Sequence, residues 1–340
     1  MRSNVSASKP EGDPPSPASL GIVRKRRQHH VWQQYLRAWA TDGAVFCLQN
    51  DRIESRGTSV VAVEKDFYKL ADLADGDLAV IRFLAIDGAN AIAKPVHENF
   101  LRLLMRPGLM LNALKAKGAD PALIDELLDI TRTNILEEYQ TLIENNFGPL
   151  LDIALSGDLS FYDRDDDCMS FALYIATQYM RTKGIKTKVV ELVLRKNNLD
   201  LSRTWDILAH IFATNIASTI YVARKRQALV LLRNETSVPF ITGDQPVINL
   251  HAATPAAADK LVLYYPLSPH LALVLCELDE PPPLPEGPLS EATVADLNRR
   301  IVKAAHRQVF GDTEAALLAS KELALADGLL RPSSGTDDDG

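Results

Sequence analysis

His29 is the residue whose type and neighbours point most directly to chemistry. It follows Arg24-Lys25-Arg26-Arg27-Gln28, stands beside His30, and leads into Val31-Trp32-Gln33-Gln34-Tyr35-Leu36-Arg37-Ala38-Trp39, a run that reads as a helix. Four cations and two imidazoles so close together invite an anion. An imidazole that titrates near neutrality can donate to a phosphate or move a proton as general acid or base. Arg24, Lys25, Arg26, Arg27 and His30 are therefore an anion-binding candidate set, and His29 is an acid-base candidate. A solvated cationic flank, with a histidine that caps or packs a helix start, uses the same residue types. Trp32, Tyr35 and Trp39 recur at helical spacing, which suits a core face better than base stacking.

Two more residues complete a possible reaction set. Tyr174, Gln178 and Arg181 fall at i, i+4 and i+7, one polar stripe on an otherwise apolar helix. If Arg181 is desolvated it needs a carboxylate, a group of carbonyls or an anionic ligand; at a wet helix C-terminus it needs none. Asp244 lies in Thr242-Gly243-Asp244-Gln245-Pro246, directly after an apolar strand, where a carboxylate can serve a ligand or close an Asx-turn on its own backbone. Glu64 and Asp66, two apart, share a side if extended and so form a possible metal-binding pair, though such acids also flank turns, and Glu64 and Asp244 are the candidate ligands for a divalent metal in the reaction set. Asp163 and Asp165 to Asp167 are interrupted by Arg164 and lack the glycine and bidentate Glu of a calcium loop, which leaves a solvated acidic loop. Arg24 to His29 and Arg300 to His306 show the Arg-x(4 to 6)-His spacing of some helical ribonucleases, a spacing that chance produces easily. P-loop, dinucleotide-fingerprint, HExxH and GxSxG motifs are missing.

The elements that must hold these residues divide into three stretches. Ala44–Gln49 and Arg52–Ser55 across Asn50-Asp51 read as a hairpin, with Ser59–Val63 as a third strand. From about 77 to 226 the period is helical: Asp120-Pro121 is a helix start, apolar positions recur from Leu123 to Asn145, and Trp205, Leu208, Phe212, Ile216 and Ile220 form one face. Strand signals return at 228–232, 238–242, 261–265 and 271–276, the prolines at 281–283 and 285 end that set, and a helix starts at Ser290 with Val294, Leu297, Ile301 and Ala304 inward. The expected architecture is α+β and predominantly helical, with an antiparallel sheet built from N- and C-terminal segments around a central helical region. Residues 1–20 read as a flexible Pro/Ser tail, 21–312 as one domain with a helical insertion at about 77–226, and 313–340 as a short helix and acidic tail.

Composition narrows the partners. The 340 residues are 46% hydrophobic and 24% charged, which suits a folded chain with a sizeable core, and the net charge of −7 leaves nucleic-acid binding to local basic patches. Three scattered cysteines, Cys47, Cys168 and Cys276, predict free, mostly buried thiols in a reducing compartment. No apolar run of transmembrane length and no secretory leader are evident, so the expected location is the cytoplasm, with no membrane partner.

Five stretches together resemble the bacterial domain-of-unknown-function family 4238 (DUF4238). They are Gln28–Trp39, Glu64-Lys65-Asp66-Phe67-Tyr68, Ala176-Thr177-Gln178-Tyr179-Met180-Arg181-Thr182, Ile241-Thr242-Gly243-Asp244-Gln245-Pro246-Val247 and Tyr265-Pro266-Leu267-Ser268-Pro269. They occur in the family's order and span most of residues 24 to 310, with His30, Trp32 and Gly243 standing where the pattern usually has Tyr, Pro and Ser. His29 matches the family's histidine. The resemblance implies no particular activity. Two functions are therefore expected as alternatives: a hydrolase acting on a phosphate-containing substrate, possibly nucleic acid, through His29, Arg181 and Asp244, or a non-catalytic protein that holds an anion or nucleic acid. Convergence of the three residues in space favours the first.

Overall fold

The Asp120-Pro121 start behaves as its chemistry predicts. The Asp120 carboxylate accepts from the Ala122 amide at 3.0 Å and Pro121 takes the first position of α4 (Pro121–Leu155). In the computed structural model, which describes residues 17, 21–251, 261–279, 284 and 287–326, this helix packs against α3 (Ala93–Ala116) and α5 (Asp165–Met180). The helical region also contains α2 (Asp75–Ile81), α6 (Lys183–Asn197) and α7 (Trp205–Ala223), with α5 and α7 in extensive contact. The Pro/Ser segment apart from Pro17, the prolines at 281–283 and 285, and the acidic end lie outside the described residues.

Antiparallel sheets join the two ends of the chain, as expected. β2 (Ala44–Gln49) and β3 (Arg52–Gly57) form the hairpin, and β10 (Val309–Gly311) pairs with β2 on one side and β6 (Thr242–Gly243) on the other. A second four-stranded sheet, in the order β5-β9-β8-β7, comes from the C-terminal half alone: β5 (Gln227–Arg233), β7 (Ile248–Asn249), β8 (Leu263–Ser268) and β9 (Leu271–Glu277). Against these sheets lie α8 (Glu291–Ala304) and α9 (Glu314–Ala326). Ser290 caps α8 by accepting from the Thr293 amide at 3.2 Å.

Four local expectations are corrected. The basic run enters a strand, not a helix: β1 (Arg27–His29) pairs with β4 (Val63–Lys65), and only the four-residue α1 (Gln33–Leu36) and a 3-10 turn follow. Residues 59–62 form no third strand, because Ala62 sits at φ +52°, a left-handed conformation that a ladder does not accommodate. Residues 238–241 also fall outside the sheet. Their backbone is taken by side chains, with Asn234 donating to the Val238 carbonyl and Asn298 bridging the Pro239 carbonyl and the Ile241 amide. Asp165, Asp166 and Asp167 form the first turn of α5, where the helix dipole favours them.

The motif stretches meet in the core. Tyr35 hydrogen-bonds Thr242 Oγ1 at 2.6 Å and donates to the Pro266 carbonyl at 2.8 Å, Trp39 donates to the Phe240 carbonyl, and the Tyr174 and Tyr265 hydroxyls lie 2.9 Å apart. Trp32, Tyr35 and Trp39 are buried, which is the core assignment, and the three cysteines are free and buried. Among the described residues one helix, Trp205–Arg226, is long and apolar enough to cross a membrane by length and composition, which the sequence reading understated. Half of its most apolar stretch is packed inside the protein, the position of a core helix.

Candidate functional site: a buried polar network around Arg181

Arg181 closes α5 and is 5% exposed, so it stands at a helix C-terminus as a desolvated charge, not as a wet one. Its partners lie on the inward stripe of α4. Nη2 pairs with Glu144 Oε1 at 2.8 Å and Nη1 donates to Gln140 Oε1 at 2.9 Å, while Nη2 also donates to Gln178 Oε1 at 2.6 Å within α5. Burial opposes the charge on Arg181, but Tyr68 and Glu144 outweigh it and hold the guanidinium above its ordinary pKa. Glu144 is pushed up by burial against the pull of Arg181. A buried pair of this kind depends on hydrogen bonds to its remaining donors and acceptors, which Gln140 and Gln178 supply at Nη1 and Nη2.

The network fixes orientations one after another. Because Gln140 Oε1 faces Arg181, its amide nitrogen is turned to His210 Nε2 at 2.5 Å, so that ring nitrogen accepts, while Nδ1 donates to the Asp206 carbonyl at 2.5 Å. His210 is thereby held neutral, and burial drives its pKa down to about 4. In the other direction Gln178 Nε2 donates to the His30 carbonyl at 3.2 Å.

His29 and His30 border this network. β1 is anchored by Gln28, whose side chain donates to the Thr133 carbonyl and accepts from the Tyr68 amide, each at 2.7 Å, and Tyr68 donates to the His29 carbonyl at 3.2 Å. The strained Ala62 accepts from the His30 amide at 3.0 Å and donates to Gln308 Oε1 at 2.9 Å, linking this strand to the C-terminal segment. His30 is 6% exposed and packs its ring on Phe67 at 5.2 Å. Burial, then the charge of Arg181, lowers its pKa to about 3. His29 is half-buried; burial lowers its pKa, a bond to the Thr58 backbone opposes the shift, and Arg181 adds to it. Both imidazoles thus lie within the field of Arg181. His29 Nε2, His30 Nδ1 and Arg181 Nε are buried and have no partner among the described residues.

The other candidates lie around this centre in different roles. Asp244 is buried, and its carboxylate accepts from the amides of His306 and Arg307, each at 2.7 Å, and of Gln308 at 3.0 Å, so it clamps the turn after α8. Burial raises its pKa against these three bonds. The clamp places His306 near Lys183 and Glu64, and Lys183 is paired with Glu64. Glu64 and Asp244 are thus engaged with a cation and three amides, and no group of three or more His, Cys, Asp or Glu side chains among the described residues is arranged to hold a metal ion. The basic run is answered by acids: Arg24 by Asp129 at 3.1 Å, Lys25 by Glu138 at 3.5 Å and Arg26 by Asp66. Arg27 reaches the Ser59 carbonyl at 3.4 Å. Arg300 pairs with Asp296, not with His306.

Sequence reasoning missed Glu137, Gln140, Glu144 and His210. The signal was available on α4, where Glu137, Gln140 and Glu144 recur at i, i+3 and i+7 on one side of an apolar helix. Glu137 is half-buried, and burial followed by repulsion from Glu144 raises its pKa to about 7, against the pull of Arg181.

Fold and site define a class: a helical α+β protein whose two ends close a sheet over an ion-paired polar interior. The family model for "Protein of unknown function (DUF4238)" matches residues 27–315, and the chain belongs to that family. No curated protein and no solved structure matches it.

Proposed function

We propose that the chain hydrolyses a phosphate ester, with His29 as the acid-base group and Arg181 as the cation that offsets charge building on the phosphate. The observation that carries this reading is that His29 Nε2, His30 Nδ1 and Arg181 Nε are each buried without a partner among the described residues, with both imidazoles in the field of Arg181. Phosphate oxygens accept hydrogen bonds only, so they suit an Arg N–H and the N–H of a suitable imidazole tautomer. His29, with its pKa lowered, is neutral at pH 7 and able to take the proton of an attacking water. The water oxygen bonds to phosphorus, the ester P–O bond breaks, and the leaving oxygen takes a proton from solvent. Asp244 acts as a positioning residue, through the turn that carries His306. A divalent metal stays a component to test, with Glu64 and Asp244 as its named candidates.

The alternative, a nucleic-acid docking strip along Arg24–Arg27, is disfavoured by the carboxylates that already answer three of those four cations. The test is a screen of phosphomonoesters, phosphodiesters and single-stranded RNA and DNA, with chelator and with added Mg²⁺ or Mn²⁺. Turnover that falls at least 100-fold in His29→Ala, with the unfolding midpoint unchanged, supports the reading. An unchanged rate in that variant ends the role of His29, and saturable phosphate binding without turnover moves the protein to the binding class.

A further inference from the structure

A cavity of about 550 Å³ lies between α6, the edge strand β7 and α8, with Gln245 in its wall. Its volume falls within the usual range for small-molecule sites, about 300–1,000 Å³. The lining is divided. Ile185, Val247, Ile248 and Leu250 supply an apolar wall, whereas Lys188, Arg299, Arg300 and Lys303 bring four cations and Asp296 the single carboxylate. Arg299 and Arg300 both pair with Asp296, and Arg300 also donates to the Leu250 carbonyl at 3.1 Å, which fixes its guanidinium at the apolar wall. Lys188 and Lys303 are exposed and make no ion pair or hydrogen bond among the described residues. The local excess of three positive charges stands in a chain whose net charge is −7. An average surface of this protein repels anions; this cavity attracts them.

We propose that this cavity binds an amphipathic anion, a small molecule with an aliphatic chain seated on Ile185, Ile248 and Leu250 and a terminal phosphate or carboxylate held by Lys188, Lys303 and Arg300. Neither half of the lining accounts for the site alone: an inorganic anion leaves the apolar wall uncovered, and a neutral lipid leaves four cations facing one acid. Neither His29 nor Arg181 lines this cavity, so this site and the proposed reaction centre fail or succeed separately.

The experiment is calorimetric titration of the full chain with dodecylphosphonate, which has no ester bond for the proposed reaction to break, and with dodecanoate, both below their micellar concentrations, against inorganic phosphate and the neutral decyl maltoside. The expected result is saturable binding of both anionic amphiphiles, at least tenfold tighter than the maltoside, whereas the heat from inorganic phosphate, the ligand of the proposed reaction centre, is unchanged by Lys188→Glu with Lys303→Glu. Lys188→Glu with Lys303→Glu weakens dodecylphosphonate binding at least tenfold at an unchanged unfolding midpoint, and Ala304→Phe, which fills the cavity, abolishes it. Equal affinity for the maltoside, no binding of either anion, or binding indifferent to the two charge reversals overturns the proposal. Should Ala304→Phe fail to fold, the lysine pair decides the matter.

Discussion

Arg26 at the surface and Arg181 in the interior each meet a carboxylate, in opposite surroundings. Arg26 is 44% exposed in its side chain and pairs with Asp66, whereas the Arg181 side chain is 3% exposed and its partner Glu144 14%. For the first pair water is the competing partner, so little depends on it. For the second water is excluded, and each member requires the other. The conspicuous feature of the sequence, a run of four cations, is thus the less consequential of the two. An arginine at the end of an apolar helix organises Gln140, Gln178, Glu144 and, through Gln140, His210.

The largest effect should follow from breaking the interior pair on one side. Arg181→Met strands Glu144 and unseats Gln140, and should lower unfolding free energy in urea by about 3–5 kcal/mol, the usual consequence of leaving a buried charge alone. Arg181→Met combined with Glu144→Leu should recover a substantial part of that loss, because the stranded charge is gone. A single variant within about 1 kcal/mol of the parent, or a double variant no better than the single, would falsify the account of this network.

A smaller and graded effect comes from pH. His30 and His210 have pKa values near 3 and 4 in the folded chain against an ordinary 6.5, so between those values the unfolded chain binds more protons. Stability is therefore fully present above about pH 6.5 and falls on acidification, each histidine contributing roughly 1.4 kcal/mol per pH unit. Glu137 has the opposite sign. Its pKa rises from 4.5 to about 7 on folding, so from pH 4.5 to 7 it favours the folded state as protons are added. Glu137→Gln removes that opposing term and should steepen the loss of stability with falling pH, by roughly 1.4 kcal/mol per unit at most over that window. It should also raise stability above pH 7. Urea midpoints measured from pH 4.5 to 8 decide between this and a variant whose slope stays the same or flattens.

Much of the architecture was legible because its signals are local. Asp120-Pro121 and Ser290 are caps that act within a turn of themselves, and Asn50-Asp51 closes the β2–β3 hairpin as such a pair should. Failures occurred where a distant partner overrides the local preference. The His29 segment becomes a strand because Gln28 is bound by Thr133 and Tyr68, and residues 238–241 leave the sheet because Asn234 and Asn298 take their backbone. The site followed the same division. The stripe ending in Arg181 was visible from spacing alone, whereas its partners on α4, some forty residues earlier, form a stripe of their own whose pairing with Arg181 only the tertiary fold sets.

The surface run offers the complementary test. Replacing Arg24, Lys25, Arg26 and Arg27 together with glutamine removes every ion pair that the run makes with Asp129, Glu138 and Asp66, yet leaves the β1–β4 ladder and the Gln28 anchor untouched. The urea midpoint should shift far less than in Arg181→Met. The shift should also shrink toward zero in about 0.5 M NaCl, where charges in water are screened within a few ångströms. The Arg181→Met loss should persist in that salt, because screening ions do not reach a side chain packed beneath α4. A surface variant as damaging as the interior one, or equally insensitive to salt, would mean that the run holds β1 in place through more than charge.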